Sequence, residues 1–200
     1  MSQRRNRGDG TGARSRDGFT LVELLVVIAI IGTLVGVLIP SINMVRRKGA
    51  KTACLNNLRE IGKLAIMYSD ENKDRFPLAR NQPAFASLQK LADWARGDVK
   101  PEQFVCPSST DLAGEVDADS SFTLDETSCS YAWISKPTKN NTRSTTALGS
   151  DDSIQDEARD ITENHARGVN VVYVDGSATW VNQAELQEGL PKGLVDNSGG

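Results

Sequence analysis

Residues 18–40 read GFTLVELLVVIAIIGTLVGVLIP, and between Phe19 and Ile39 one side chain, Glu23, can carry a charge. These 21 residues, at about 1.5 Å each, make a helix of roughly 32 Å, close to the ~30 Å hydrocarbon core of a bilayer. A cleavable secretory signal has a shorter apolar core of about 7–15 residues, followed by small residues. Here the run ends instead in LIPSINMVRR (38–47), and no cysteine lies just after it to take a lipid anchor. The segment reads as a retained membrane span. Glu23 is the exception within it and needs a partner.

The flanks differ in charge. Residues 1–18 hold five arginines (Arg4, Arg5, Arg7, Arg14, Arg16) against Asp9 and Asp17, a net of +3; the whole chain is −3, so residues 19–200 sum to −6. A basic segment ahead of an apolar run is held on the cytoplasmic side. The acidic remainder argues against a nucleic-acid surface, which needs clustered Lys and Arg.

Helical periodicity continues past the span. Ile42, Val45, Leu55, Leu58, Ile61, Leu64, Ala65 and Tyr68 recur at spacings of three and four, with Asn56, Asn57, Arg59, Glu60 and Lys63 opposite. One helix of about 50 residues is expected, apolar all round and then amphipathic. A kink is expected at Pro40, which lacks a backbone donor, and DENKDRFP (70–77) supplies the stop.

The remainder is a globular head. ASLQKLADWARG (86–97) predicts a short helix ending at Gly97, and SYAWI (130–134) a short strand. The stretches 105–121 and 136–146 are rich in turn formers and read as loops. VNVVYVDGSATWV (169–181) predicts a β-hairpin turning at Asp175-Gly176. A two-residue type I′ turn there sets Tyr173 opposite Ala178 and Val171 opposite Trp180. Residues 189–200 read as a frayed tail.

Three cysteines, Cys54, Cys106 and Cys129, allow three pairings. A Cys106–Cys129 bridge is expected, because both lie in the head while Cys54 sits on the helix. Their spacing does not resemble a zinc site, which wants four ligands in close pairs, and His165 is the chain's single histidine. His165 reads as a hydrogen-bonded structural residue in the approach to the hairpin, with ligation or catalysis as lesser alternatives. Asp70-x-Asn72-x-Asp74 begins like a calcium loop, but Arg75 stands where Gly is required and Asn81 where the closing Glu belongs. Trp94, Trp133 and Trp180 read as packing residues.

Gly18-Phe19-Thr20-Leu21-Val22-Glu23, ahead of a long apolar helix with Pro40 near its end, resembles the N-terminus of type IV pilins and type II secretion pseudopilins. The resemblance implies that a prepilin peptidase cuts between Gly18 and Phe19 and methylates the new N-terminal Phe19. Glu23 then remains as a membrane carboxylate. Cleavage creates an α-amine that is largely protonated at neutral pH. In a packed array the carboxylate of one subunit can pair with the amine of a neighbour, which offsets the cost of burying charge and sets register.

A second resemblance covers more of the chain. CLNNLREIGKLAIMYSDENKDRFP (54–77), FVCPSS (104–109), SYAWI, and His165 separated by nine residues from Asp175-Gly176 resemble a pseudopilin-like family named for its H-x(9)-D-G motif. That motif often continues with a second His; here Ser177 follows, so no role tied to a second His carries over. Major pseudopilins as a group carry a loop calcium site. The resemblance thus leaves room for a weak calcium site among Asp117, Asp119, Asp151 and Asp152, against solvated acidic loops as the alternative.

The expected fold is α+β, a long N-terminal helix packed on a small antiparallel sheet, as in pilins. The expected division is a cleaved basic leader (1–18), a transmembrane helix (19–40), its amphipathic continuation (41–75), and an exported head (76–200) with the hairpin 169–181. The resemblance implies a non-enzymatic subunit of a type II secretion pseudopilus, single-pass in the inner membrane with its head in the periplasm or outside. Its partners would be its own copies, other pseudopilins, prepilin peptidase, an inner-membrane assembly platform and the lipid bilayer; no cofactor and no nucleic acid are expected. The alternatives are a surface type IV pilin for adhesion or DNA uptake, or a membrane-anchored exported binding module.

Overall fold

In the computed structural model the described residues are 19–151, 165, 168–182, 184–185 and 194–195. Contacts divide the chain into two units, Met1–Met44 and Val45–Gly200. Helix α1, Leu21–Glu71, contributes to both and is 51 residues long. Its backbone stays helical across Pro40, whose side chain, and with it the expected kink, lies outside the described residues.

In the first unit every described side chain is exposed, including Leu21, Val26, Ile30, Leu34 and Leu38. The apolar half of α1 therefore has no core of its own.

In the second unit, Cys54, Leu58, Ile61, Gly62, Ala65 and Ser69 of α1 are buried. These spacings of three and four trace one stripe along the helix. The expected face contained Leu58, Ile61 and Ala65, but its centre runs through Cys54, while Ile42 and Val45 are exposed. The helix stops where Lys73 and Asp74 take left-handed backbone, at φ 59° and 62°. Helix α2, Ala84–Trp94, buries Ala84, Ser87, Leu88, Leu91 and Ala92. A short 3₁₀ turn, Pro101–Phe104, follows.

Among the described residues the sheet has five antiparallel strands, β1 Ala132–Ile134, β2 Ala147–Ser150, β3 Gly168–Tyr173, β4 Ala178–Asn182 and β5 Leu194–Val195. Their order across the sheet is β4-β3-β2-β1-β5. β3 is buried at every position but its last, so a continuous run, GVNVVY, replaces the alternation of a one-sided strand. β5 corrects the expectation of a frayed tail: Leu194 and Val195 pair with Ile134 and Trp133. Trp133 is fully buried, and its indole N–H donates to the Pro77 carbonyl at 2.9 Å, which satisfies the polar end of a core residue.

The hairpin forms with a different turn. Val172 pairs with Ala178, Val171 with Thr179 and Asn170 with Trp180, one residue out of the expected register. A type I′ turn needs positive φ at both central residues, yet of Asp175 and Gly176 only Gly176 has it, at 76°. The amide of Gly176 donates to Tyr173 O, and that of Tyr173 to Ser177 O, both at 2.9 Å. Val174, Asp175 and Gly176 thus make a three-residue loop with glycine at the left-handed position. A Cβ on Gly176 would lie 2.7 Å from Ile66 Cδ1 of α1, so the turn also seats against the helix.

Candidate functional site

Among the described residues, two places carry chemistry. The first is the start of α1. The Thr20 amide and hydroxyl donate to Glu23 Oε2 at 2.9 and 2.6 Å, and the Glu23 amide returns a bond to Thr20 Oγ1 at 3.2 Å. This reciprocal pair is a capping box, which satisfies donors left open at a helix start. The sequence signal for it is Thr20-x-x-Glu23, a pattern that the reading of Glu23 as a membrane charge did not include. Phe19, just ahead, is 73% exposed; Gly18 lies outside the described residues. The following helix is long and apolar enough to cross a membrane.

The second is a buried polar group in the head. Cys54, on the buried stripe of α1, forms a disulfide with Cys106, which follows the 3₁₀ turn. This overturns the expected Cys106–Cys129 bridge. The Cα atoms of Cys54 and Cys106 are 5.2 Å apart, within disulfide range. Cys129 stays outside the bridge as a buried thiol directed at the Tyr131 carbonyl, and burial pushes its pKa up to about 12.

His165 packs against this disulfide. Its Nε2 lies 3.5 Å from Cys106 Sγ and 3.1 Å from Asp151 Oδ2, and its ring meets Trp180 edge-on at 5.9 Å. Lys51 Nζ sits 3.2 Å from the centre of a Trp180 ring. Asp151 is fully buried just beyond β2, so it is no part of a solvated acidic loop. Asn170 of β3 fixes it: the Asn170 amide donates to Oδ1 at 2.7 Å and its Nδ2 to Oδ2 at 2.5 Å. Asn170 Nδ2 also reaches Lys51 O at 3.1 Å, tying the sheet to α1.

The two halves of the H-x(9)-D-G motif do not meet in one site. His165 precedes β3 and Asp175-Gly176 follow it, so roughly 20 Å of strand separates them. The nine-residue spacing measures β3 between an anchor at the disulfide and a turn seated on α1. Ser177 closes that turn, its amide and hydroxyl donating to Asp175 Oδ1 at 2.9 and 2.6 Å. These bonds hold the Asp175 carboxyl below the usual carboxylate range.

Asp117 and Asp119 lie in a separate tight loop. Asp119 accepts the Ser121 amide and hydroxyl and pairs with Arg96 at 3.0 Å; Asp117 accepts the Ser121 hydroxyl at 3.3 Å. Asp151 belongs to the histidine cluster, and Asp152 lies outside the described residues. Among the described residues, the set of metal-capable side chains gathered within 4.8 Å is Cys54, Cys106, Asp151 and His165, all buried.

Comparison with known proteins bears on the first site. The family described as the prokaryotic N-terminal methylation motif matches residues 13–39. The chain is also 40% identical over 75 residues to the type IV wide pilus major component PilA4 of Thermus thermophilus, a match covering 38% of this chain and 55% of that protein. The chain thus spans about half the length of the curated relative it matches. No solved structure matches it. With the long N-terminal helix and antiparallel sheet, these findings support the chain's resemblance to the type IV pilin and pseudopilin superfamily.

Proposed function

We propose that this protein is a structural subunit of a membrane-rooted filament of the type IV kind, not an enzyme. Prepilin peptidase removes residues 1–18, Phe19 becomes the N-methylated first residue, and the apolar half of α1 holds the subunit in the inner membrane until assembly. In the filament the same apolar surface packs against copies of itself, and Glu23 pairs with the α-amine of a neighbour. The observation that carries this reading is the methylation motif over residues 13–39 on a helix whose apolar window holds no buried residue. Such a helix needs lipid or partners to cover it.

The Cys54–Cys106 disulfide supports an exported head, since disulfides persist in oxidising compartments. Between the two filament types, the pilus-forming relative favours a surface pilus over the type II secretion pseudopilus expected from sequence. Intact-mass and N-terminal peptide spectrometry on protein from native membranes tests the reading. The expected chain starts at N-methylated Phe19. A chain that keeps residues 1–18 in cells with active peptidase would support an anchored binding module instead. Recovery of the protein in sheared surface filaments distinguishes a pilus from a pseudopilus.

A further inference from the structure

We propose that Cys54, Cys106, Asp151 and His165 form a divalent-metal site, of the kind that takes zinc, which becomes available when the disulfide is reduced. This inference does not depend on filament assembly.

All four side chains are buried, and their ligand atoms lie within 4.8 Å of one another. His165 links two of the other ligands. One atom, His165 Nε2, faces both Cys106 Sγ at 3.5 Å and Asp151 Oδ2 at 3.1 Å. Zinc–sulfur bonds of about 2.3 Å and zinc–nitrogen or –oxygen bonds of about 2.0–2.2 Å place tetrahedral ligands roughly 3.3–3.8 Å from one another. The histidine–sulfur separation already has that value, and the histidine–carboxylate separation needs only a few tenths of an ångström. The two sulfurs, bonded to each other in the disulfide, must move apart.

The surroundings suit a metal site. Asn170 orients the Asp151 carboxylate through two hydrogen bonds, as outer residues orient ligands in metal sites. Two thiolates and one carboxylate around a doubly charged ion leave one net negative charge. Lys51 lies near enough to Asp151 for their charges to interact. The ligands come from α1, the segment after the 3₁₀ turn, the end of β2 and the approach to β3. A bound ion would join helix to sheet where the disulfide does so in the oxidised protein.

The exchange balances. A dithiol reductant gives two electrons and two protons to the disulfide, becoming a disulfide itself and leaving two cysteine thiols. The metal ion then displaces both thiol protons to solvent, and neutral His165 and ionised Asp151 supply the other two electron pairs. In the oxidised protein the sulfurs are bonded to each other and carry no charge for an ion. The two states exclude one another.

The test uses the full, untagged chain in detergent micelles, reduced with dithiothreitol, desalted under nitrogen and titrated with cobalt(II), then zinc. We expect one cobalt per chain, with thiolate charge-transfer bands and the visible spectrum of tetrahedral cobalt, displaced by zinc. The oxidised chain should bind none, and Cys129→Ala should bind like the wild type. His165→Ala and Asp151→Asn should each weaken binding by more than the about 10- to 100-fold that loss of an outer-shell partner costs. A reduced chain that is folded by circular dichroism yet takes up no stoichiometric cobalt overturns the proposal, as does unchanged affinity in folded His165→Ala. If the variants do not fold, X-ray absorption on the zinc-loaded wild type decides. Two sulfurs with two nitrogen or oxygen neighbours support the site; any other sulfur count sinks it.

Discussion

Thr20 and Glu23 bond reciprocally across the first turn of α1, so Glu23 has work within one chain as well as any partner beyond it. The two roles make different demands. A capping box accepts Gln in place of Glu, whereas pairing with a protonated amine requires the charge. Glu23→Gln should therefore keep the helix start, read by amide exchange in micelles, while filament yield falls as far as in Glu23→Ala. If Glu23→Gln assembles like the wild type and Glu23→Ala does not, the residue acts as a cap and the intersubunit pair is wrong. Thr-x-x-Glu was legible as sequence because a cap is local. The partner of a membrane carboxylate on another chain is not.

At the scale of elements, α1 approaches β3 at Gly62, where an added Cβ would run into Val172 Cγ2. Two effects oppose each other in Gly62→Ala. Alanine favours a helix by about 1 kcal/mol over glycine, but overpacking against a stiff β-branched side chain costs about 1–3 kcal/mol. The variant should be less stable by up to about 2 kcal/mol in denaturant melts, and Val172→Ala should partly rescue it. Gly49→Ala is the control: that position has no neighbour within 4 Å of a new Cβ, so it should be stabilised by about 1 kcal/mol. Stabilisation at both positions would mean that the helix does not press on the strand. The hairpin teaches a related lesson. Asp-Gly marked the turn correctly, but turn type and register depend on how Gly176 seats against Ile66, which no local dipeptide encodes.

For the molecule as a whole, the Cys54–Cys106 bridge closes a loop across 52 positions and joins the helix to the segment after the 3₁₀ turn. Loop-closure entropy for that length sets an upper figure of about 4 kcal/mol, and measured bridges commonly contribute about 2–4 kcal/mol. Reduction in the presence of a chelator should lower the unfolding free energy of the head by that amount. Loss below about 0.5 kcal/mol would mean that the unfolded chain is not loosened by opening the bridge. Cys129 should resist alkylation until the head unfolds, because its thiol is buried with a pKa pushed up to about 12.

By itself the sequence determined whatever depends on neighbours within a few residues. It marked the methylation motif, the apolar half of α1, half of its buried stripe through Leu58, Ile61 and Ala65, and the positions of α2, β1 and the hairpin. Period and composition act through local sterics and burial, so they can be read in order along the chain. Only the tertiary structure decided that Cys54, rather than Cys129, reaches Cys106, that residues 194–195 return as an edge strand, and that Asp151 and His165 meet at the disulfide. Those partners lie far apart in sequence. Their meeting depends on how the helix packs over the sheet, since packing fixes which distant atoms share a buried volume.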